Sequence, residues 1–373
     1  MYKVKVITNK LNIRNTPTAD PEYKNWAGEL LKGDEFTATD IIEGQVYNNS
    51  PYWYKDEYNR FASLTGIGDD DPRIGWSLRT LGVPHIWAKT KGEGVTVAVV
   101  DSGVDLHNSD LSDAVLAAYS YNSIDESQNV QASYYHGNFC ASIIASRGRP
   151  NGLLGVAPAC KLIVIKITDE ESIDDANELK GYQKLLEIAD SFDIISLSIG
   201  SPQEKPLIKN ILEKLINAGK ICIAASGDDP NPAAGVCYPA NTTGMISVGS
   251  IKCTNETAAF GNGIFEISDQ SSGGAQDGNH EGVTIVAPGD GVNTYDIGGK
   301  LWGPISGTSY AVPYVAGVAA LWLSTIKKKN ISIKNYHKSF KDFLITNSIK
   351  TISDYNSNYC GAGIISPSKI LSL

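Results

Sequence analysis

Hydrophobic and polar positions follow two different patterns along this chain. Up to residue 64 they alternate in short runs, Val4 to Thr8 and Leu11 to Arg14, followed by the strand-like stretches Glu35 to Ile42 and Tyr52-Trp53-Tyr54-Lys55. Thr16-Pro17-Thr18 and Lys32-Gly33-Asp34 interrupt these runs with turn residues. A period of two predicts strands with one buried face, and several such strands at short spacing predict a small barrel. Gly66 to Pro72 then gathers Gly, Asp and Pro, the composition of an exposed connection.

From Val95 onward the apolar runs are continuous. Val95–Val100, Leu162–Ile167, Ile194–Ile199, Ile221–Ala225, Met245–Val248 and Val283–Val286 carry few polar interruptions. Strands buried on both faces in a parallel sheet have that pattern. Helical periodicity lies between them, at Asp175 to Ala189 and at Leu207 to Ala218, the latter closed by Gly219 as a C-terminal cap. Alternating strands and helices predict an α/β domain with a doubly wound, mostly parallel sheet, preceded by a small all-β barrel. The expected boundaries are 1–65 for the barrel, 66–81 for the linker and 82–373 for the α/β domain.

Composition removes several classes. A net charge of −9 lacks the basic footprint a nucleic-acid binder needs, so no nucleic acid is expected as partner. The longest apolar stretch, Val315 to Leu323, falls short of the roughly 18 residues of a spanning helix, so no membrane is expected either. None of the six cysteines forms a CxxC pair, and Cys140, Cys160 and Cys222 lie within apolar runs as small hydrophobes. MYKVKVITNK has no apolar leader pattern. A reduced, cytoplasmic chain is the simplest expectation. Secretion after removal of a signal is the alternative.

Three segments carry candidate chemistry. Val97-Ala-Val-Val-Asp101-Ser-Gly103 ends a buried strand in an acid, at the edge where open α/β sheets place their sites. Taken alone, such an Asp reads more readily as a cap on the following turn. Asp-Ser-Gly also suits an aspartic protease, but that chemistry needs a second such carboxylate and no second Asp-Thr/Ser-Gly follows a buried strand. His136-Gly-Asn-Phe-Cys-Ala-Ser-Ile-Ile-Ala145 places an imidazole at the start of a small-residue helix. Ser306-Gly-Thr-Ser309-Tyr-Ala-Val-Pro313-Tyr-Val-Ala-Gly317 brings a serine into a helix N-terminus, where free N–H groups favour negative charge. An ordinary N-cap serine explains that position equally well when it is taken alone.

Together the three segments resemble the subtilisin-like serine proteases (subtilases), in the chain order Asp101, His136, Ser309. Further matches are Asp193-Ile-Ile-Ser-Leu-Ser-Ile-Gly200, Leu154-Gly-Val-Ala-Pro158, Tyr238-Pro-Ala240, Val286-Ala-Pro-Gly289 and Gly361-Ala-Gly-Ile-Ile365, so the resemblance runs from Gly82 to Lys369. It implies a serine endopeptidase that acts on peptides or proteins through an acyl-enzyme on Ser309. His136 would be the base, and Asp101 would orient it. It also implies Ser198, Ile199 and Gly200 as a substrate-pairing strand. Ala225, Ser226 and Gly227 would wall the primary specificity pocket, with Cys237 at its base. Asp229 is either a rim residue favouring a basic side chain or a solvated turn residue. His85, His107, His280 and His337 lack comparable context and are expected to be packing or surface residues. No cofactor or catalytic metal is implied. Structural Ca²⁺ stays an option at Asp105, Asn108, Asp110 and Asp113, although their spacing alone assembles no ligand shell.

Three features depart from the family pattern. Asp228 occupies a position where the family has an oxyanion-binding Asn, leaving an oxyanion hole made of Asp228 and the Ser309 N–H. An ionised Asp is an acceptor only. A protonated Asp228, Asn231 brought in by a different loop register, or a weak or inactive subtilase-fold protein that binds peptides are the three readings. Tyr310 replaces the usual Met and is expected to point away from the reacting atoms. Finally, LNIRNTPT, GELLKGDEFTATDIIEG and YWYKDEYNRFAS resemble the bacterial SH3-like domains. That resemblance implies an unknown ligand, either a partner or cell-wall peptide, or else an inhibitory role across the cleft.

Overall fold

The computed structural model describes all residues except 1, 7–9, 20–25, 33, 39, 48–49, 64–66, 69–72, 150–151, 232–234, 259 and 275–280. It divides into two compact units, one of residues 1–90, 255–263 and 367–373, the other of residues 91–254 and 264–366.

The first unit is built on two antiparallel sheets. Its strands are β1 (Tyr2–Val6), β2 (Lys10–Arg14), β3 (Trp26–Leu31), β4 (Glu35–Ala38), β5 (Asp40–Tyr47), β6 (Ser50–Lys55), β7 (Phe61–Ser63) and β8 (Ile67–Gly68). They are ordered β4-β1-β8 and β3-β2-β7-β6-β5. Alternation has its expected consequence: Leu11, Ile13, Phe36 and Ala38 are buried, while Glu35 and Thr37 are exposed. The expected single strand Glu35 to Ile42 is two strands, because the chain changes sheets after Ala38. Of the expected linker, Ile67 and Gly68 pair with β1, and 66 and 69–72 lie outside the described residues. Helices α1 (Trp76–Thr80) and α2 (Val83–Ile86) follow. On α2, His85 shares a buried hydrogen bond with the Tyr54 hydroxyl and packs edge-on against Phe260, 5.2 Å between ring centres. Burial pushes His85 down to about 3, so the ring is neutral near pH 7.

The second unit is the α/β body. Its strands β9 (Thr96–Asp101), β10 (Tyr121–Asn122), β11 (Lys161–Lys166), β12 (Ile194–Leu197), β13 (Ile221–Ala225), β14 (Ile246–Cys253) and β15 (Phe265–Ile267) lie in the order β10-β11-β9-β12-β13-β14-β15. β16 (Ile285–Pro288) also pairs with β14, and every pairing except β14–β15 is parallel. β12, β13 and β16 are buried at every residue, as their uninterrupted apolar runs require. A hairpin of β17 (Asp290–Tyr295) and β18 (Leu301–Ser306) stands apart from this sheet.

The helices of this unit are α3 (Ser109–Ser112), α4 (His136–Ala145), α5 (Asp175–Glu187), α6 (Pro206–Asn217), α7 (Thr308–Lys328), α8 (Tyr336–Asn347) and α9 (Ser357–Cys360). Gly219 follows α6 at φ 85°, a conformation that closes the helix at little steric cost. By length and composition the whole of α7, 21 residues, could cross a membrane, but 94% of its apolar window is buried. It is the core helix, packed on α4, β12, β13, β14 and β16.

Candidate active site

The first candidate pair is placed by a close approach. Asp101 is the last residue of β9, and α4 begins at His136 directly against that strand end. A Cβ at Gly137 would lie 2.4 Å from the Gly103 carbonyl oxygen and 3.0 Å from Asp101 Cβ, so no larger residue fits. This contact brings His136 Nδ1 to 2.9 and 3.0 Å from the two Asp101 carboxylate oxygens. Asp101 is 3% exposed, and one of its oxygens also accepts the Ser102 N–H at 2.7 Å. Burial pulls the His136 pKa down. The charge and hydrogen bond of Asp101, with the charge of Asp228 behind them, outweigh that pull and hold the ring above its ordinary value.

Ser309 is the second residue of α7, and its backbone N–H lies among those a helix start leaves without an intrahelical partner. Pro313, four residues on, has no N–H to offer the Ser309 carbonyl. That carbonyl accepts instead from Ser198 Oγ at 2.7 Å and from Cys140 Sγ at 3.5 Å. The proline therefore leaves the Ser309 carbonyl tied to the end of β12 and to α4. The Ser309 hydroxyl itself donates to the Ser198 carbonyl at 3.2 Å. Asp101, His136, Ser198, Asp228, Ser309 and Tyr310 line one cleft of about 320 Å³.

An adjoining cleft of about 480 Å³ shares Ile199, Gly200, Asp228 and Ser309 with the first and adds Ala225, Gly227, Asp229 and Cys237. Cys237 Sγ donates to the Ala225 carbonyl at 3.2 Å, and burial pushes the thiol up to about 12. Ser226 lines neither cleft. It is fully buried and its hydroxyl donates to the Ser272 carbonyl at 3.0 Å.

Asp228 is held by the helix that carries Ser309. Its Oδ1 accepts the Thr308 N–H and the Thr308 hydroxyl, both at 2.7 Å. Gly307, at the N-cap of α7, offers no side chain, so the carboxylate takes over the capping role. Asn231 is exposed, gives its N–H to Asp229 at 2.9 Å and lines neither cleft.

Two further side chains stand beside the Asp101–His136 pair. Tyr310 does not point away from the reacting atoms: its ring centre is 5.8 Å from that of His136, and burial pushes its phenol up. A helix with an apolar core face turns the residue after Ser309 toward α4, where Phe139 meets the same ring at 6.3 Å. Cys140 reads as a small hydrophobe in sequence, yet its sulfur lies within 4.8 Å of ligand atoms of Asp101 and His136. Burial, then the Asp101 charge, pushes that thiol well up, so it stays protonated. Of the remaining histidines, His337 is buried, accepts the Cys222 N–H at 3.2 Å and donates to the Gly244 carbonyl at 2.6 Å. His107 is exposed, and His280 lies outside the described residues.

Asp105, Asp110 and Asp113 do not bring three carboxylate ligand atoms within 4.8 Å of one another. Asp105 accepts N–H groups of His107 and Gly298, Asn108 caps α3 through the Asp110 N–H, and Asp113 pairs with Arg149 at 2.6 Å. Among the described residues, the only group of three His, Cys, Asp or Glu ligand atoms within 4.8 Å is Asp101, His136 and Cys140.

Residues 92–363 match the subtilase family. The chain is 29% identical over 252 residues to the major intracellular serine protease of Bacillus subtilis (strain 168), covering 65% of this chain and 73% of that protein. It is 31% identical over 246 residues to an intracellular serine protease of Paenibacillus polymyxa, 64% of this chain and 69% of that protein. It is also 29% identical over 279 residues to subtilisin E of Bacillus subtilis (strain 168), 74% of this chain and 65% of that protein.

Proposed function

The chain belongs to the subtilase family and is a subtilisin-like serine endopeptidase, and from that premise we propose which of its residues act and how. Ser309 is the nucleophile, His136 takes its proton and later returns it to the leaving amine, and Asp101 fixes the ring tautomer and offsets its positive charge. The observation that carries this reading is the His136–Asp101 pair, 2.9 Å apart, in the cleft that Ser309 also lines. In the resting state the Ser309 hydroxyl is committed to Ser198, so attack begins with its rotation from that carbonyl toward the ring.

Ile199 and Gly200 line both clefts and carry no intramolecular backbone hydrogen bond among the described residues. Their open N–H and C=O groups suit the addition of an extended peptide as a strand, with one side chain entering the pocket that Cys237 floors. Peptides or proteins are the substrate.

Negative charge on the attacked carbonyl oxygen meets the Ser309 N–H and Asp228. Because Asp228 Oδ1 already accepts two donors, only a proton on Oδ2 lets this residue donate to the oxyanion. As a carboxylate it leaves the hole one donor short. Removing one such donor from a subtilisin costs about 10²–10³ in kcat, well within what the rest of the site can sustain. The rival reading, a peptide-binding protein without turnover, rests on the same carboxylate.

The six free cysteines and two relatives named as intracellular support a reducing, cytoplasmic site of action. The N-terminal unit is proposed as an SH3-like module that engages a partner. Cleavage of a pool of internally quenched peptides tests the catalytic assignment: wild type cleaves and Ser309→Ala does not. Binding without cleavage by wild type, with cleavage appearing in Asp228→Asn, would select the rival reading.

A further inference from the structure

A short turn, Ser306 to Ser309, leaves β18, enters α7 and presents the nucleophile. Such a turn must be stiff, because a displacement of about 1 Å at a reacting atom costs up to about 10²-fold in rate. On one side it is gripped by Asp228 through Thr308. On the other side stands Asp290, the first residue of β17. One Asp290 oxygen accepts the Ser306 hydroxyl at 2.6 Å, and the other accepts the Ser268 hydroxyl at 2.7 Å.

Ser268 is 3% exposed, and its N–H donates to the Ser250 carbonyl of β14 at 3.0 Å. The carboxylate therefore connects the nucleophile's turn to the central sheet. The adjacent backbone reinforces it: Gly307 N–H donates to the Gly289 carbonyl at 2.9 Å, and Gly291 N–H reaches Ser306 Oγ at 3.4 Å. Ser306 is exposed and lines the catalytic cleft, so water would satisfy its hydroxyl if Asp290 did not. A hydrogen bond in that setting adds little stability. Its effect is on geometry.

We propose that Asp290 is a positioning residue for catalysis, holding the turn Ser306–Ser309 in register with β14 so that the Ser309 hydroxyl keeps its place in the cleft. This rests on Ser309 being the nucleophile. The test is steady-state kinetics of the full chain on one internally quenched peptide drawn from the cleaved pool. Asp290→Ala lowers kcat about tenfold while KM stays within about twofold. Ser306→Ala, a surface change that leaves the fold intact, gives the same loss, and the double variant loses no more than either single one. Asp290→Asn, which keeps an acceptor for one hydroxyl and a donor for the other, restores most of kcat. Wild-type kcat in Ser306→Ala, or strictly additive losses, overturns the proposal. Hydrolysis that persists in Ser309→Ala overturns the nucleophile assignment instead, and is read in a separate assay.

Discussion

A histidine in each unit shares a hydrogen bond with one side chain, and the two rings have opposite fates. His85, in the N-terminal unit, meets a neutral phenol, and burial alone drives its pKa down to about 3. His136, in the α/β unit, meets the carboxylate of Asp101 and is held above its ordinary value although burial opposes that. Burial thus silences an imidazole, and an adjacent fixed negative charge keeps it able to carry a proton. The contrast marks which of the two rings is able to exchange a proton near neutral pH.

The strongest way to break the comparison is to remove the charge from the second partner. Asp101→Asn should lower kcat by about 10⁴-fold, because the ring is then neither oriented nor stabilised as a cation. Its titration, followed by ring-proton NMR, should move in the direction of His85. Asp228→Asn comes next and should raise kcat at neutral pH by about 10², since an amide restores a donor without needing a proton. The same change removes a charge that holds His136 up. His136 must be neutral to act as base, so kcat/KM climbs as pH rises through its pKa, and that limb should shift to lower pH in Asp228→Asn. A limb that stays in place would show that Asp228 does not act on the ring.

Smaller effects sharpen the other half of the contrast. Tyr54→Phe leaves His85 Nδ1 buried without its partner and should cost about 1–3 kcal/mol of stability in urea unfolding, with kcat unchanged. Smallest of all is a charge preference. Glu170 and Glu171 line one cleft and Asp228 and Asp229 the other, with no Lys or Arg among the lining residues. All four are exposed, so peptides carrying Lys or Arg should be favoured by only about fivefold at low ionic strength, and the preference should vanish near 1 M salt.

Much of this arrangement is legible in the chain. Continuous apolar runs mark β9, β11, β12 and β13 within a residue or two, because strands covered on both faces have no polar side to show. Asp101, His136 and Ser309 are legible from their flanking small residues, of which Gly137 has a plain steric reason. Three things resist such reading. Asp40 and the Ile41-Ile42 pair interrupt the period of two just after Ala38, but the residues on either side still have strand character, so one irregular strand and two strands in different sheets look alike. Tyr310 and Cys140 look like interchangeable core residues, since their roles depend on how α4 and α7 pack together. Asp290 is one acid among many until Ser268 and Ser306, far away in sequence, are found on its two oxygens.

The most direct test of the central claim is labelling with a fluorophosphonate probe, followed across pH. Wild type should be labelled at a single serine, with half-maximal rate above pH 6.5, and Ser309→Ala should take up no label. Absence of label in wild type, or undiminished label in Ser309→Ala, would contradict the account.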